Sequence, residues 1–152
     1  MQTRRDLLGR SAAVAGLLAA GGWLPATAQA AWNAAPFEAK NLADVLKALG
    51  AAAPVESKDI TLTAPDIAEN GAVVPLAAAT GLAGVKSLLF LVEKNPVPLA
   101  SRFELSDAVE ASVSTRVKMG GSSNVFAVAL MKDGRTLFAV KEVKVTLGGC
   151  GG

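Results

Sequence analysis

The sequence predicts a mostly β fold built from antiparallel strands. Three observations predict it. From Asp59 onward, apolar residues alternate with polar ones in short runs. Turn residues separate the runs at Asn70-Gly71, at Asn95-Pro96-Val97-Pro98 and at Asp133-Gly134. Helical spacing is confined to a single stretch before residue 50 of the mature part.

That stretch opens at Asn41, whose side chain suits the first turn of a helix, with Asp44 at the favoured acidic position. Leu42, Val45, Leu46 and Leu49 then follow the i, i+3, i+4, i+7 rule and form one apolar stripe. Gly50 closes the helix as a left-handed cap. Helix is predicted over 41–49 and a loop over 51–58. Packing of the stripe on the main domain is the default, and docking on a partner is the alternative.

Ile60, Leu62 and Ala64 alternate with Thr61 and Thr63, the pattern of a half-buried strand that Pro65 ends. Val73 to Ala78 is a second strand, and Pro75 marks an edge or a bulge in it. Val85 to Glu93 carries Leu88, Leu89, Phe90, Leu91 and Val92 in one run, as in a central strand covered on both faces. Arg102 to Leu105 is short and extended. Val113, Thr115, Val117 and Met119 share one face of the next strand, with Ser114, Arg116 and Lys118 on the other. Val125 to Met131 and Thr136 to Leu147 flank the Lys132-Asp133-Gly134-Arg135 turn as a hairpin. In the return strand, Phe138 and Val140 share one phase and Val143, Val145 and Leu147 the other. This slip predicts a bulge near Lys141–Glu142. Roughly seven strands at short spacing define an antiparallel immunoglobulin-like β-sandwich over 59–147, preceded by the helical segment 31–58.

The start of the chain reads as a targeting segment. Arg4-Arg5 precede an apolar stretch from Ser11 to Leu24, and Ala28-Gln29-Ala30 supplies a cleavage pattern. This is the form of a twin-arginine (Tat) export signal over residues 1–30, with Leu7 where Phe is usual. Glycines at 21 and 22 break the apolar stretch, which falls short of the about 20 residues a stable membrane anchor needs. Cleavage after Ala30 and a periplasmic mature protein are expected, with no membrane attachment afterwards. Of 15 basic and 13 acidic residues, Arg4, Arg5, Arg10 and Asp6 leave with the signal. The net charge of +2 then falls to zero. Nucleic-acid binding loses its electrostatic basis.

Composition excludes several chemistries. There is one cysteine and no histidine. A zinc site or a covalently attached haem lacks its ligands, and no Ser-His-Asp or Cys-His arrangement is available. No catalytic residue and no metal ligand stand out, and no cofactor bound by this chain is expected.

The one cysteine stands in Gly148-Gly149-Cys150-Gly151-Gly152, directly after the last predicted strand. Gly148, Gly149, Gly151 and Gly152 remove every Cβ that would crowd the thiol. Residues 148–152 are expected to form a flexible arm on a rigid root. Extended, the three residues from Gly148 to Cys150 carry the sulfur roughly 10 Å from the strand. A free thiol has a pKa of about 8.5, so activation is expected to come from whatever receives the arm. Its chemistry suits a covalent sulfur adduct, a persulfide or thiosulfonate on Cys150.

The twin-arginine signal, the sandwich, the segment Arg116-Val117-Lys118-Met119-Gly120 and the terminal GGCGG together resemble the SoxY-type sulfur carrier subunits of the bacterial sulfur-oxidising (Sox) system. The resemblance spans essentially the whole chain. It implies a carrier rather than an enzyme, paired with a SoxZ-type subunit as a heterodimer. Cys150 then carries thiosulfate-derived sulfur, and contacts with the haem, manganese and molybdenum-haem enzymes are transient. Those cofactors belong to the partners. Two other readings remain open at this point. One is a β-sandwich module that dimerises through a disulfide at Cys150. The other is a carrier that uses its terminal Gly-Gly as a thiocarboxylate, which export and the cysteine both disfavour.

Overall fold

Alternation and turn chemistry from residue 59 onward produce two packed sheets. The computed structural model describes residues 33–148. Two short helices come first, α1 (Ala35–Glu38) and α2 (Leu42–Ala48). Nine strands follow among the described residues. They are β1 (Pro54–Glu56), β2 (Ile60–Thr63), β3 (Ile67–Asn70), β4 (Val74–Thr80), β5 (Val85–Val92), β6 (Leu99–Glu104), β7 (Ser112–Val117), β8 (Ser123–Met131) and β9 (Thr136–Leu147). One sheet runs β1-β9-β8-β5-β6, with β3 also paired to β9; the other runs β2-β4-β7. The fold is an immunoglobulin-like sandwich, mostly antiparallel. Two pairings are parallel, β1 with β9 and β3 with β9.

The helix forms where its cap and stripe place it. Asn41 Oδ1 accepts the amide of Asp44 at 2.8 Å, and Gly50 takes φ +65° after the last turn. The stripe faces the chain's own sheet. Val45 is fully buried against Leu89, Leu91, Leu99, Val128 and Leu130, and Leu42, Leu46 and Leu49 pack around them. The choice between own domain and partner is thereby settled for α2. It also explains the unbroken apolar run of β5. Leu88, Phe90 and Val92 point into the core between the sheets, while Leu89 and Leu91 lie beneath α2. The core also takes Val74 and Leu76 from β4, Val117 and Met119 from β7 and its end, and Val125 and Val143 from the hairpin.

Three expectations are corrected. The predicted loop over 51–58 contains β1, which pairs with Thr136–Phe138 at the start of β9. The seven-strand count also missed β3. Neither short strand advertises itself, because β1 is exposed throughout and β3 buries only Ala68. Finally, β9 has no bulge at Lys141–Glu142. Its register with β8 is continuous from Ser123↔Val143 to Leu130↔Thr136. Phe138 is apolar because it packs in the cluster under α2, while Leu137, Ala139, Val143 and Val145 meet the inner core. Two buried faces mimic a phase slip. The register shifts fall in β5 instead, at Val85/Ser87 and Phe90/Leu91.

Pro75 sits as expected at an edge-like position. Pairing of β4 with β2 ends at Ala77↔Thr63, so Pro75 has a strand neighbour only on the β7 side, at Arg116. Among the described residues, no helix is long and apolar enough to cross a membrane.

Candidate functional site

The end of β9 carries the chain toward Cys150, so the site is built from what holds that strand. Pairing with β8 stops at Val143. From there β3 takes over in parallel, with Ile67 opposite Lys144, Ala68 opposite Val145 and Asn70 opposite Leu147. Lys144 N donates to Asp66 O at 3.0 Å, and Gly71 N donates to Leu147 O at 2.7 Å. Thr146 Oγ1 donates to Glu69 O at 3.0 Å. On the β8 side, Val145 N donates to Ser122 Oγ at 2.9 Å. The strand is thus fixed to its last residue, which is the rigid root that the sequence led one to expect.

The loops at this end are tied to one another and to the root. Met119 is fully buried, and its amide donates to Gly71 O at 2.7 Å. Asn95 bridges the same segment: its Nδ2 donates to Lys118 O at 2.7 Å and its Oδ1 accepts Gly120 N at 3.0 Å. Lys94 N donates to Ser123 Oγ at 3.0 Å, and Asn124 Nδ2 donates to Glu93 Oε2 at 2.9 Å. The segment from Arg116 to Gly120, singled out in the sequence, therefore lies beside the root. Asn95 and Gly71 read only as turn residues in the sequence, and Ser122 is not singled out. Each reaches the site across a long sequence separation, which no local pattern records.

Gly148, expected as the first residue of the arm, lies against the backbone of Gly120. A Cβ at position 148 would stand 2.6 Å from Gly120 O. Gly149, Cys150, Gly151 and Gly152 lie outside the described residues. Side chains at this end carry both signs. Lys94 and Lys118 stand on the two loops joined by Asn95, with Lys144 on β9 and Glu69 and Glu93 nearby in the chain. Lys144 is close to the arm in sequence, whereas Lys94 and Lys118 arrive through the fold. Leu147 and Val73 are apolar and exposed here.

Perturbed carboxyl groups lie outside this end loop cluster. Lys141 holds Asp66 below the usual carboxylate range, first by a hydrogen bond and then by its charge. Asp133 is held low by the backbone amide and then the side chain of Arg135, in the hairpin turn. Among the described residues, no three His, Cys, Asp or Glu side chains gather as a metal site. A hollow of about 680 Å³ is at the opposite end of the sandwich between Gly81–Val85 and Leu105–Ser112.

Fold and site define a class of protein: an immunoglobulin-like sandwich that holds rigidly the strand leading to one cysteine. The chain belongs to the SoxY family of sulfur oxidation proteins. The family model, described as "Sulfur oxidation protein SoxY", matches residues 45–150, which includes Cys150. Membership makes it a sulfur carrier subunit of sulfur oxidation rather than an enzyme. Among solved structures, it is similar to the sulfur carrier protein SoxY from Chlorobium limicola f thiosulfatophilum. That match has 33% identity and a TM-score of 0.60, covering 68% of this chain and 93% of the other. Two structures of superoxide reductase (neelaredoxin) from Ignicoccus hospitalis share the fold. They are 19% and 18% identical, with TM-scores of 0.50 and 0.51, each covering 57% of this chain and 78% of theirs. Comparison with curated proteins returns no match.

Proposed function

We propose that Cys150 is the covalent attachment point for thiosulfate-derived sulfur and that this sandwich presents it to Sox enzymes. The observation that supports the reading most strongly is the fixed end of β9. Every residue from Val143 to Leu147 is paired or hydrogen-bonded, and Cys150 follows three residues later among glycines.

The chemistry follows from the thiol. Joining the Cys150 thiolate to thiosulfate forms one S–S bond, gives a thiosulfonate and releases two electrons. Those electrons pass to the haem-bearing partner that the family resemblance implies. Attack of water on the oxidised terminal sulfur breaks its bond to the inner sulfur, releases sulfate and a proton, and leaves a persulfide on Cys150 for the next partner. The chain has no histidine to take the thiol proton, so proton removal from Cys150 belongs to the receiving enzyme's pocket. Gly149, Gly151 and Gly152 put no side chain beside the sulfur in that pocket.

In this reading the protein is exported by the twin-arginine route, loses residues 1–30 and works in the periplasm. It pairs with a SoxZ-type subunit and meets the haem, manganese and molybdenum-haem enzymes in turn. The covered outer face of β5 narrows the surface left for that subunit, since α2 occupies the area above Leu89 and Leu91. Intact mass of the protein from thiosulfate-grown cells tests the proposal. Sulfur-containing adducts are expected on the parent and absent from Cys150→Ser.

A further inference from the structure

We infer that Gly148 belongs to the rigid body and not to the arm, and that Asn95, acting through Gly120, is a positioning residue that sets the direction in which Cys150 is presented. The inference rests on the carrier reading of Cys150 and specifies which residues of the motif do what.

Two explanations of a glycine at 148 compete, conformational freedom and close approach. The backbone decides between them. The positive-φ glycines among the described residues are Gly50, Gly84 and Gly134, so no left-handed conformation demands glycine at 148. Close approach does demand it. A Cβ there would stand 2.6 Å from Gly120 O and 3.5 Å from Gly120 C. The obstacle is main chain, and that main chain is held on three sides. Gly120 N donates to Asn95 Oδ1 at 3.0 Å, Lys118 O accepts Asn95 Nδ2 at 2.7 Å, and Met119 N donates to Gly71 O at 2.7 Å. The buried Met119 side chain anchors the segment in the core. Gly71 also donates to Leu147 O at 2.7 Å, so the same residue holds both sides of the approach.

A side chain at 148 therefore displaces either the end of β9 or the Lys118–Gly120 segment. Either shift re-aims the residues that follow. Loss of the Asn95 side chain has the same consequence from the other side, because both of its hydrogen bonds run to that segment. Delivery of a reacting atom into a partner's pocket is sensitive to such shifts, since displacement by about 1 Å can cost about a hundredfold in rate.

Nitroxides on Cys150 and on a second site introduced by Lys47→Cys, at an exposed position of α2, read the direction of presentation as a distance distribution in the full chain. Gly148→Ala and Asn95→Ala are each expected to displace that distribution from the parent's. In unlabelled protein carrying neither nitroxide, both substitutions are expected to slow thiosulfate-dependent loading of Cys150 by the haem-bearing partner about tenfold. Alkylation of Cys150 by iodoacetamide, which needs no docking direction, stays within about twofold. A merely structural effect moves alkylation and loading together. Unchanged distance distributions in both folded variants overturn the inference, as do unchanged loading rates. If the parent itself acquires no sulfur adduct, the carrier reading fails, and the distance distributions still decide the role of Gly148 and Asn95.

Discussion

Gly71 donates its amide to the carbonyl of Leu147 at 2.7 Å, at the residue that precedes the glycine–cysteine stretch. Its own carbonyl accepts Met119 N at the same distance. One turn residue thus joins the final strand to the loop that flanks it. Hydrogen bonds from Gly71, Ser122 and Thr146 hold this end of the sandwich together with the buried Val143 and Met119, while Leu147 itself is 71% exposed.

Ser122→Ala tests one of these hydrogen bonds directly. Val145 N loses its acceptor, Ser122 Oγ, at the edge where β8 no longer pairs with β9. A single such hydrogen bond contributes about 1 kcal/mol. Amide exchange at Val145 is expected to accelerate roughly fivefold, with the global melting temperature nearly unchanged. Exchange at the parental rate would show that this hydrogen bond does not hold the end of β9.

Val45→Ala tests whether α2 docks on its own sheet without a partner. Val45 is fully buried over Leu89 and Leu91. Truncation of a buried aliphatic side chain is expected to cost about 2 kcal/mol, which lowers the melting temperature of the isolated chain by roughly 10 °C. A melt that matches the parent would mean that the stripe is free in the isolated chain and waits for another surface.

Asp66 and Lys141 set an acid limb. Lys141 Nζ lies 2.9 Å from Asp66 Oδ1 and also donates to Ala64 O at 2.6 Å. The ion pair depresses the folded-state pKa of Asp66. Such a group stabilises above the ordinary carboxylate pKa, and its contribution is lost as pH falls through the folded value. The carboxyl is exposed, so the effect is small. Asp66→Asn is expected to lower the melting temperature slightly near pH 7 and to flatten its decline below about pH 4. An acid limb identical to the parent's would remove this pair from the account.

Much of the body was legible in the sequence. Asn41, Gly50 and the Asp133-Gly134 hairpin act through contacts within a few residues, and the stripe of α2, whose contacts are distant, still repeats at helical spacing. The strands of the antiparallel core carry their alternation openly. β1 and β3 do not, because a short exposed strand that pairs in parallel with β9 buries too little to leave a period. The phantom bulge in β9 has the opposite cause, an apolar residue on each face with α2 covering one of them. At the site, Cys150 and its glycines stand out by composition, and the family match extends to that cysteine. The root does not stand out. Asn95 meets Gly120, Ser122 meets Val145 and Gly71 meets Leu147 only after the sheets have assembled.

The central claim is that sulfur travels on Cys150. Intact mass of both parent and Cys150→Ser, after incubation with thiosulfate and the loading enzyme, tests it most directly. The account predicts a reducible sulfur adduct on the parent and an unmodified mass for the variant. An adduct that persists in Cys150→Ser, or a parent that stays unmodified, contradicts it.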